Sequence, residues 1–223
     1  MRIFVLGAGG WGTTLSILLH HNGHEVILWE YKKMYARQLN RTRVNKYYLP
    51  GIKIPPEIKI TSSLDYLEKE PHLVVLAIPS QFIRSVLKNM RKYDLSDTTF
   101  VSVAKGIEYE TFMTVSQVIK DVIPNIDDSN ISVLSGPSHA EEVSHRTPTA
   151  VVVASTDENI AKYVQATFIN SFFRVYSTTD VLGVELGGSI KNVIAIGAGI
   201  IDGAGFGDNT KAAIMTRGIA EVS

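Results

Sequence analysis

Three glycines near the amino terminus have the spacing G-x-G-x-x-G: Gly7, Gly9 and Gly12. They follow the β-branched run from Ile3 to Leu6 and precede an apolar stripe at helical spacing that begins at Trp11, so they lie between a predicted strand and a predicted helix. Here glycines permit a tight turn, close approach of the backbone to a pyrophosphate, and close helix packing, while free amides at the helix start attract the anion. The stretch predicts a dinucleotide-binding loop, and a tight turn without a ligand is the alternative.

A carboxylate follows the second predicted strand, Val26 to Trp29, about twenty residues after the glycines. At that place Glu30 would accept hydrogen bonds from the adenosine ribose and repel a 2′-phosphate, which favours NAD over NADP. Lys32, Lys33 and Arg37 are close enough in sequence to receive that phosphate instead. NADP therefore stays possible, and a solvated loop carboxylate is the alternative role for Glu30.

Two lysines are candidates for chemistry on a substrate. Lys105 directly follows the predicted strand Phe100 to Ala104, so we expect it at the carboxyl edge of the sheet, where open α/β folds bind ligands. Lys191 lies between glycines and apolar residues in ELGGSIKNVIAIGAG. Desolvation lowers the pKa of a buried lysine, which suits a group that takes a proton from an alcohol as hydride leaves, and Asn192 beside it would orient an oxygen substituent. The alternatives are an ordinary surface lysine for Lys105 and a lysine that reaches solvent from a helix end for Lys191.

The run SGPSHAEEV offers further polar groups after another predicted strand, Ile131 to Leu134. Gly136 and Pro137 come directly after this strand, and Ser138 is predicted to cap the following helix. Free amides and a hydroxyl would then face the same edge of the sheet, although a plain capping role fits equally well.

Short apolar runs alternate with segments of helical periodicity along most of the chain, which predicts a doubly wound α/β fold of Rossmann type with a parallel sheet. Residues 40 to 60 contain prolines and Gly51 and are predicted to form a loop. After about Asp180 the sequence is helical in period and rich in glycine. We therefore expect a dinucleotide-binding domain over residues 1–180 and the start of a helical substrate domain over residues 181–223.

Composition excludes several classes of protein. Twenty-two basic residues balance twenty-two acidic ones, so no net field attracts nucleic acid or an anionic membrane. Cysteine is absent, which excludes disulfides and thiolate catalysis, and the cluster His20, His21 and His24 is interrupted by Gly23, so no metal site is predicted. No signal-peptide pattern or apolar run of roughly 18 to 20 residues is found, and we expect a cytoplasmic protein without a membrane span.

Motifs spread over the whole chain resemble one family, the NAD(P)-dependent sn-glycerol-3-phosphate dehydrogenases of bacterial type. They are, in order, GAGGWGTTLS, HEVILWE, NKYYLPG, AIPSQFI, AKGIE, SGPSHAEEV, FRVYS and ELGGSIKNVIAIGAGIIDGAGFGDNTKAAIMTRGIAEV. The first is shared by many oxidoreductases, whereas the last is specific. The resemblance implies interconversion of sn-glycerol 3-phosphate and dihydroxyacetone phosphate for glycerophospholipid precursor synthesis, and a possible homodimer.

The resemblance also implies roles for individual residues. Contacts to the cofactor are implied for Gly7, Gly9, Gly10, Trp11, Gly12, Tyr31, Phe82, Lys105 and Ala140, to which the position of Glu30 adds one more. Contacts to the substrate are implied for Lys105, Gly136, Ser138, Lys191 and Asn192, and Lys191 matches the family's proton acceptor.

Family members continue beyond the position of Ser223, with an aspartate near the reacting carbons and a Ser-Arg-Asn run whose arginine binds the substrate phosphate. Arg217 belongs to the TRGIAEV motif and is not assigned that role. We therefore expect a shortened chain with exposed apolar helix faces and a tendency to associate. A catalytically incomplete nucleotide-binding module, or another β-hydroxyacid-type dehydrogenase, stays open as an alternative.

Overall fold

The computed structural model describes residues 1–69, 71–123 and 125–222. Its strands are β1 (Arg2–Leu6), β2 (Glu25–Trp29), β3 (Val44–Asn45), β4 (Leu49–Lys53), β5 (Lys59–Thr61), β6 (Leu73–Leu76), β7 (Thr99–Ser102), β8 (Ile131–Ser135), β9 (Thr149–Ser155) and β10 (Phe173–Thr178). Its α-helices are α1 (Gly10–His21), α2 (Lys33–Thr42), α3 (Ser80–Met90), α4 (Val115–Val122), α5 (Ala140–Ser144), α6 (Glu158–Phe168), α7 (Val181–Gly203) and α8 (Asp208–Val222).

The main sheet has the strand order β10-β9-β8-β7-β6-β1-β2-β5. Every neighbouring pair from β5 to β8 is parallel, as the alternation of strands and helices predicts. The predicted parallel sheet is confirmed for these strands, and the sheet departs from it at one place, where β9 runs antiparallel to β8; β10 runs parallel to β9. The connection from β8 to β9 contains only the short helix α5, so the chain returns without the long crossover that a parallel pair needs.

Both faces of the sheet are buried. Along β1, Ile3 and Val5 pack into one apolar cluster with side chains of α1 and α6, whereas Phe4 and Leu6 pack into the other with side chains of α3 and α4. Successive strand residues point to opposite faces, so a run of four apolar residues supplies both cores at once. This explains why the buried strands are continuous apolar runs rather than alternating ones.

Residues 40 to 60 are not the simple loop that their prolines predict. They contain the antiparallel pair β3 and β4, with an irregular register at Val44 and Asn45, and the short strand β5, which pairs with β2 at the edge of the main sheet. Pro50 and Gly51 are tolerated within β4 because a two-stranded ribbon has free edges and an irregular ladder. Tertiary pairing overrides the local turn preference here.

The last two helices pack on each other and on the end of the sheet. Helix α7 begins after Asp180, whose side chain accepts a hydrogen bond from the Gly183 amide, and it contacts β8 and β9. Exposed apolar side chains include Val193, Ile196 and Ile200 on α7 and Phe206 in the connection to α8. In the described part of the chain, α7 is the one helix long and apolar enough to cross a membrane by length and composition, which by itself is weak evidence for a span.

Candidate active site at the carboxyl edge of the sheet

The predicted site residues lie in segments that leave the sheet at one edge. The strands β1, β2, β6, β7 and β8 are mutually parallel, so their carboxyl ends share that edge. The segments that follow them carry, in turn, the glycine loop, Glu30 and Tyr31, Phe82, Lys105, and the stretch from Gly136 to Ala140. Residues far apart in sequence therefore line one surface.

The glycine loop has the geometry that its spacing predicts. Gly7 has φ +110°, in the region that favours glycine, and its amide donates to the Trp29 carbonyl at 2.9 Å. A Cβ at Gly12 would lie 1.9 Å from the Gly7 oxygen and 3.1 Å from the Ala77 Cβ, so only a glycine allows α1 to approach β1 this closely. A turn and a close approach thus account for two of the three glycines.

The third glycine, Gly9, is at the start of α1, and the structure around it leaves room for a ligand. A Cβ built there would meet no atom within 4 Å. Gly9 is the N-cap of α1, no side chain caps this end, and the first turn carries no acidic residue. The free amides and the positive end of the helix dipole are thus available to an anion such as a pyrophosphate.

The neighbours of this loop include two other predicted contact residues. The side chain of Trp11 is half-buried, with its ring centroid 6.4 Å from that of Phe173, so it anchors the first turn of α1. Ala140 opens α5 beside the loop, where its carbonyl accepts a hydrogen bond from the Thr14 hydroxyl at 3.1 Å. A Cβ at Gly10 would lie 3.5 Å from that of Ala140, so the two segments are in contact.

Three side chains stand where the adenosine end of a dinucleotide is predicted. Glu30 is half-buried, and its Oε1 accepts a hydrogen bond from the Lys32 amide at 2.9 Å, which orients the carboxylate. Tyr31 is 77% exposed and meets the Trp29 ring edge-on at 6.3 Å. Phe82, on α3, is 62% exposed and does not join the apolar core.

The two lysines meet at the segment that follows β8. Lys105 Nζ donates to the Ser138 hydroxyl at 3.3 Å, and Lys191 Nζ lies 3.5 Å from the Gly136 carbonyl oxygen. Ser138 is not the helix cap that its position predicts: α5 is capped at His139, and the Ser138 hydroxyl donates instead to the Gly136 carbonyl at 3.3 Å. The structure therefore brings Lys105, Lys191, Gly136 and Ser138 together.

The surroundings of Lys105 shift its pKa. Partial desolvation of its ammonium group, followed by charge repulsion and a hydrogen bond from Lys191, lowers the pKa of Lys105 to about 8. The sequence predicts a desolvated lysine at Lys191, whose side chain is half-buried, whereas the side chain of Lys105 is exposed; Asn192, the next residue of α7, is exposed as well. The pair of cations makes this place attractive to an anionic substrate.

Helix α7 is held against the sheet by contacts that the sequence did not predict. Glu185 is only 8% exposed, and its carboxylate accepts hydrogen bonds from the amide of Ser116 at 2.8 Å and from the hydroxyl of Ser116 at 2.6 Å, at the start of α4. One turn later, the Ser189 hydroxyl accepts from the Gly106 amide at 3.1 Å, next to Lys105. An acidic residue among apolar and small neighbours in a helix is the signal that could have identified Glu185.

Comparisons with known proteins all lead to one family. Two family models match: the NAD-dependent glycerol-3-phosphate dehydrogenase N-terminus over residues 2–161 and its C-terminus over residues 180–223. Proteins named glycerol-3-phosphate dehydrogenase [NAD(P)+] from Chlorobium phaeobacteroides (strain BS1) and Prosthecochloris aestuarii are 50% and 48% identical over the whole chain, which spans 67% of each relative. A crystal structure of the Coxiella burnetii glycerol-3-phosphate dehydrogenase matches with TM-score 0.89 and 33% identity, covering 99% of this chain and 67% of that one.

Proposed function

The chain belongs to the NAD-dependent glycerol-3-phosphate dehydrogenase family, whose members are NAD(P)-dependent oxidoreductases, and we propose that its chemistry takes place between the glycine loop and the Lys105–Lys191 pair. The substrates are sn-glycerol 3-phosphate and dihydroxyacetone phosphate. The observation that carries the proposed site is the meeting of these two lysines at the Gly136–Ser138 segment, on the edge that also bears the glycine loop. Whole-chain similarity to relatives of this name favours this reaction over that of another β-hydroxyacid-type dehydrogenase.

The residues of the glycine loop fit a dinucleotide. The open space at Gly9 and the uncapped start of α1 suit a pyrophosphate, which the amides of Gly9, Gly10, Trp11 and Gly12 would hold. When bound, the nicotinamide supplies the hydride acceptor in oxidation and the hydride donor in reduction. Ala140 would form the wall of the cofactor site on the side of α5.

The adenosine end would lie between Tyr31 and Phe82, whose exposed rings offer apolar surfaces to a base. The carboxylate of Glu30, held by the Lys32 amide, would accept hydrogen bonds from the ribose hydroxyls. The same carboxylate would repel a 2′-phosphate, so NAD is the proposed preferred cofactor, with NADP accepted less well.

Lys191 is the proposed proton carrier. In oxidation its neutral amine would take the proton of the C2 hydroxyl while the hydride leaves C2, and in reduction its ammonium would return a proton to the carbonyl oxygen. Lys105, with a pKa of about 8, would be mostly charged at neutral pH and would attract the phosphorylated substrate. Gly136, Ser138 and Asn192 would complete the substrate contacts.

Activity of this chain provides the test. We expect NADH oxidation with dihydroxyacetone phosphate, and Lys191→Ala should lower turnover by roughly a hundredfold or more while NADH affinity changes little. Lys162→Ala removes an exposed lysine that pairs with Glu158 on α6, and serves as the matched control. A small effect of Lys191→Ala would remove this residue from the mechanism. NADH binding without any turnover by the unmodified chain would favour the nucleotide-binding module instead.

The division into domains near residue 180, a homodimer, a cytoplasmic location and the absence of a membrane span belong to the same proposal. The hydrogen bonds of Glu185 to Ser116 support a helix that packs on protein rather than lipid, and the apolar side chains exposed on α7 would be the surface for a second copy of the chain. Sedimentation of the purified chain without detergent tests this: a defined dimer is expected, and recovery only with lipid or detergent would contradict it.

A further inference from the structure

A buried asparagine outside the predicted site joins the glycine loop to the β3–β4 ribbon. The side chain of Asn45 is 0% exposed. Its amide nitrogen donates to the Ala8 carbonyl at 2.9 Å and to the Thr13 hydroxyl at 2.8 Å, on either side of Gly9 and Gly12. Both partners flank the turn between β1 and α1.

The other end of the same amide is also fully used. Asn45 Oδ1 accepts a hydrogen bond from the Tyr48 amide at 3.2 Å and another from the Tyr35 hydroxyl. A carboxamide has two donor hydrogens and two acceptor lone pairs, so all four are satisfied. With every group paired inside the protein, the side chain has one orientation, and rotating the amide would place donors against donors.

The contact with Ala8 has a consequence for the neighbouring peptide. No cis peptide bond occurs among the described residues, so the Ala8 carbonyl and the Gly9 amide point in opposite directions across a planar trans peptide. Because Asn45 holds the carbonyl toward the protein interior, the Gly9 N–H is directed away from it. A reversed peptide would present a carbonyl oxygen, which repels a phosphate, in place of a donor.

The ribbon itself is pressed against the loop. A Cβ at Gly10 would lie 2.6 Å from the Tyr48 carbonyl oxygen, so the ribbon packs directly on the first residue of α1. The ring of Tyr35 lies 6.1 Å from that of Tyr48, and the Tyr35 hydroxyl donates the hydrogen bond that Asn45 Oδ1 accepts. The ribbon therefore supports the loop on the side of Asn45.

We propose that Asn45 is a positioning residue for the dinucleotide, which orients the Ala8–Gly9 peptide so that its N–H, and not its carbonyl, meets the pyrophosphate. The inference rests on the proposed function, since it assigns the support for the same cofactor site. Asn45 does not contact the ligand and acts through the backbone of the loop.

The experiment compares ligands with and without a pyrophosphate. NADH affinity is measured by fluorescence titration of the intact chain, and ADP and adenosine are measured as competitors. Asn45→Ala should weaken NADH and ADP about tenfold, as for the loss of one or two buried hydrogen bonds, and leave adenosine within twofold. Tyr35→Phe keeps the amide and removes one of its partners, so we expect a fold-intact variant in which NADH and ADP weaken about threefold.

The matched control is Asn22→Ala at the opposite end of α1, where the amide nitrogen donates to the Thr167 carbonyl at 2.9 Å. It should lower the melting temperature without changing NADH affinity. The inference is wrong if Asn45→Ala binds NADH within twofold of the unmodified chain, or if it weakens the binding of adenosine as much as that of ADP. If Asn45→Ala does not fold, the same two outcomes are judged on Tyr35→Phe. Failure of the unmodified chain to bind NADH would instead refute the proposed function.

Discussion

Two glycines of the same loop should respond in opposite ways to the same added methyl group. At Gly9 a Cβ would meet nothing within 4 Å, and the backbone has φ −70°, which alanine adopts without strain. Replacing glycine by alanine at such a position stabilises a protein by about 0.4–1 kcal/mol through the unfolded chain. At Gly12 the Cβ would lie 1.9 Å from the Gly7 oxygen, more than 1 Å inside the closest approach that real Cβ atoms show.

Helix α1 must therefore shift off β1 in Gly12→Ala, and overpacking of this kind costs about 1–3 kcal/mol. For a chain of this size each kcal/mol lowers the melting temperature by about 2–4 °C, so we expect a loss of about 2–12 °C. In Gly9→Ala the gain through the unfolded chain is offset by the lower preference of alanine for an N-cap, so this variant should melt close to the temperature of the unmodified chain. Its methyl group would nevertheless occupy the space for the pyrophosphate, and NADH affinity should fall more than about tenfold.

Thermal melting without ligand and NADH fluorescence titration separate the two effects. Gly12→Ala is the destabilised variant and Gly9→Ala the stable variant that fails to bind. A Gly9→Ala chain that binds NADH as well as the unmodified chain would refute the placement of the pyrophosphate at this loop. A Gly9→Ala chain that melts as low as Gly12→Ala would refute the claim that the space at Gly9 is empty.

Three further outcomes are expected. Glu30→Ala should shift the ratio of NADH to NADPH affinity toward NADPH by about tenfold, measured by titration with both, and an unchanged ratio would exclude Glu30 as the selecting group. The folded-state pKa of Lys105 is lowered from 10.5 to about 8, so between these pH values the unfolded chain binds more protons than the folded chain. The free energy of unfolding should therefore rise with pH across that window. Urea unfolding measures this rise, and Lys105→Met should abolish it. Glu185→Ala removes both hydrogen bonds to Ser116 and leaves the Ser116 amide without its acceptor, although the Ser116 hydroxyl keeps its contact with the Thr114 hydroxyl. It should cost about 1–3 kcal/mol, seen as a lower melting temperature, whereas Glu221→Ala in an exposed pair should change it little.

Local patterns account for much of the fold. The strands β1, β2, β7 and β8 lie within a residue or two of the predicted apolar runs that begin at Ile3, Val26, Phe100 and Ile131, because a strand covered on both faces is largely apolar. The ribbon at residues 44–53 was missed, since its proline and glycine favour a turn and only pairing between β3 and β4 makes it a strand pair.

The candidate site was predictable where a residue's position in the chain decides its place. Gly7 and Gly12 act through the backbone between one strand and one helix, and Lys105 follows the end of a strand, so their spacing is sufficient. Asn45 and Glu185 were not predicted because their partners, Ala8 and Ser116, are distant in sequence. Their roles exist only after the chain has folded.

The sequence by itself determined the α/β class, the dinucleotide loop and the family, because apolar periodicity, glycine spacing and contiguous motifs are local properties of the chain. Only the tertiary structure lowers the pKa of Lys105, since its partial desolvation and its repulsion by Lys191 depend on the packing of α7 against β8. Likewise, only the folded chain turns Ser138 from a helix cap into a partner of Lys105. Electrostatic and hydrogen-bond energies depend on distances through space, and separation along the chain does not specify them.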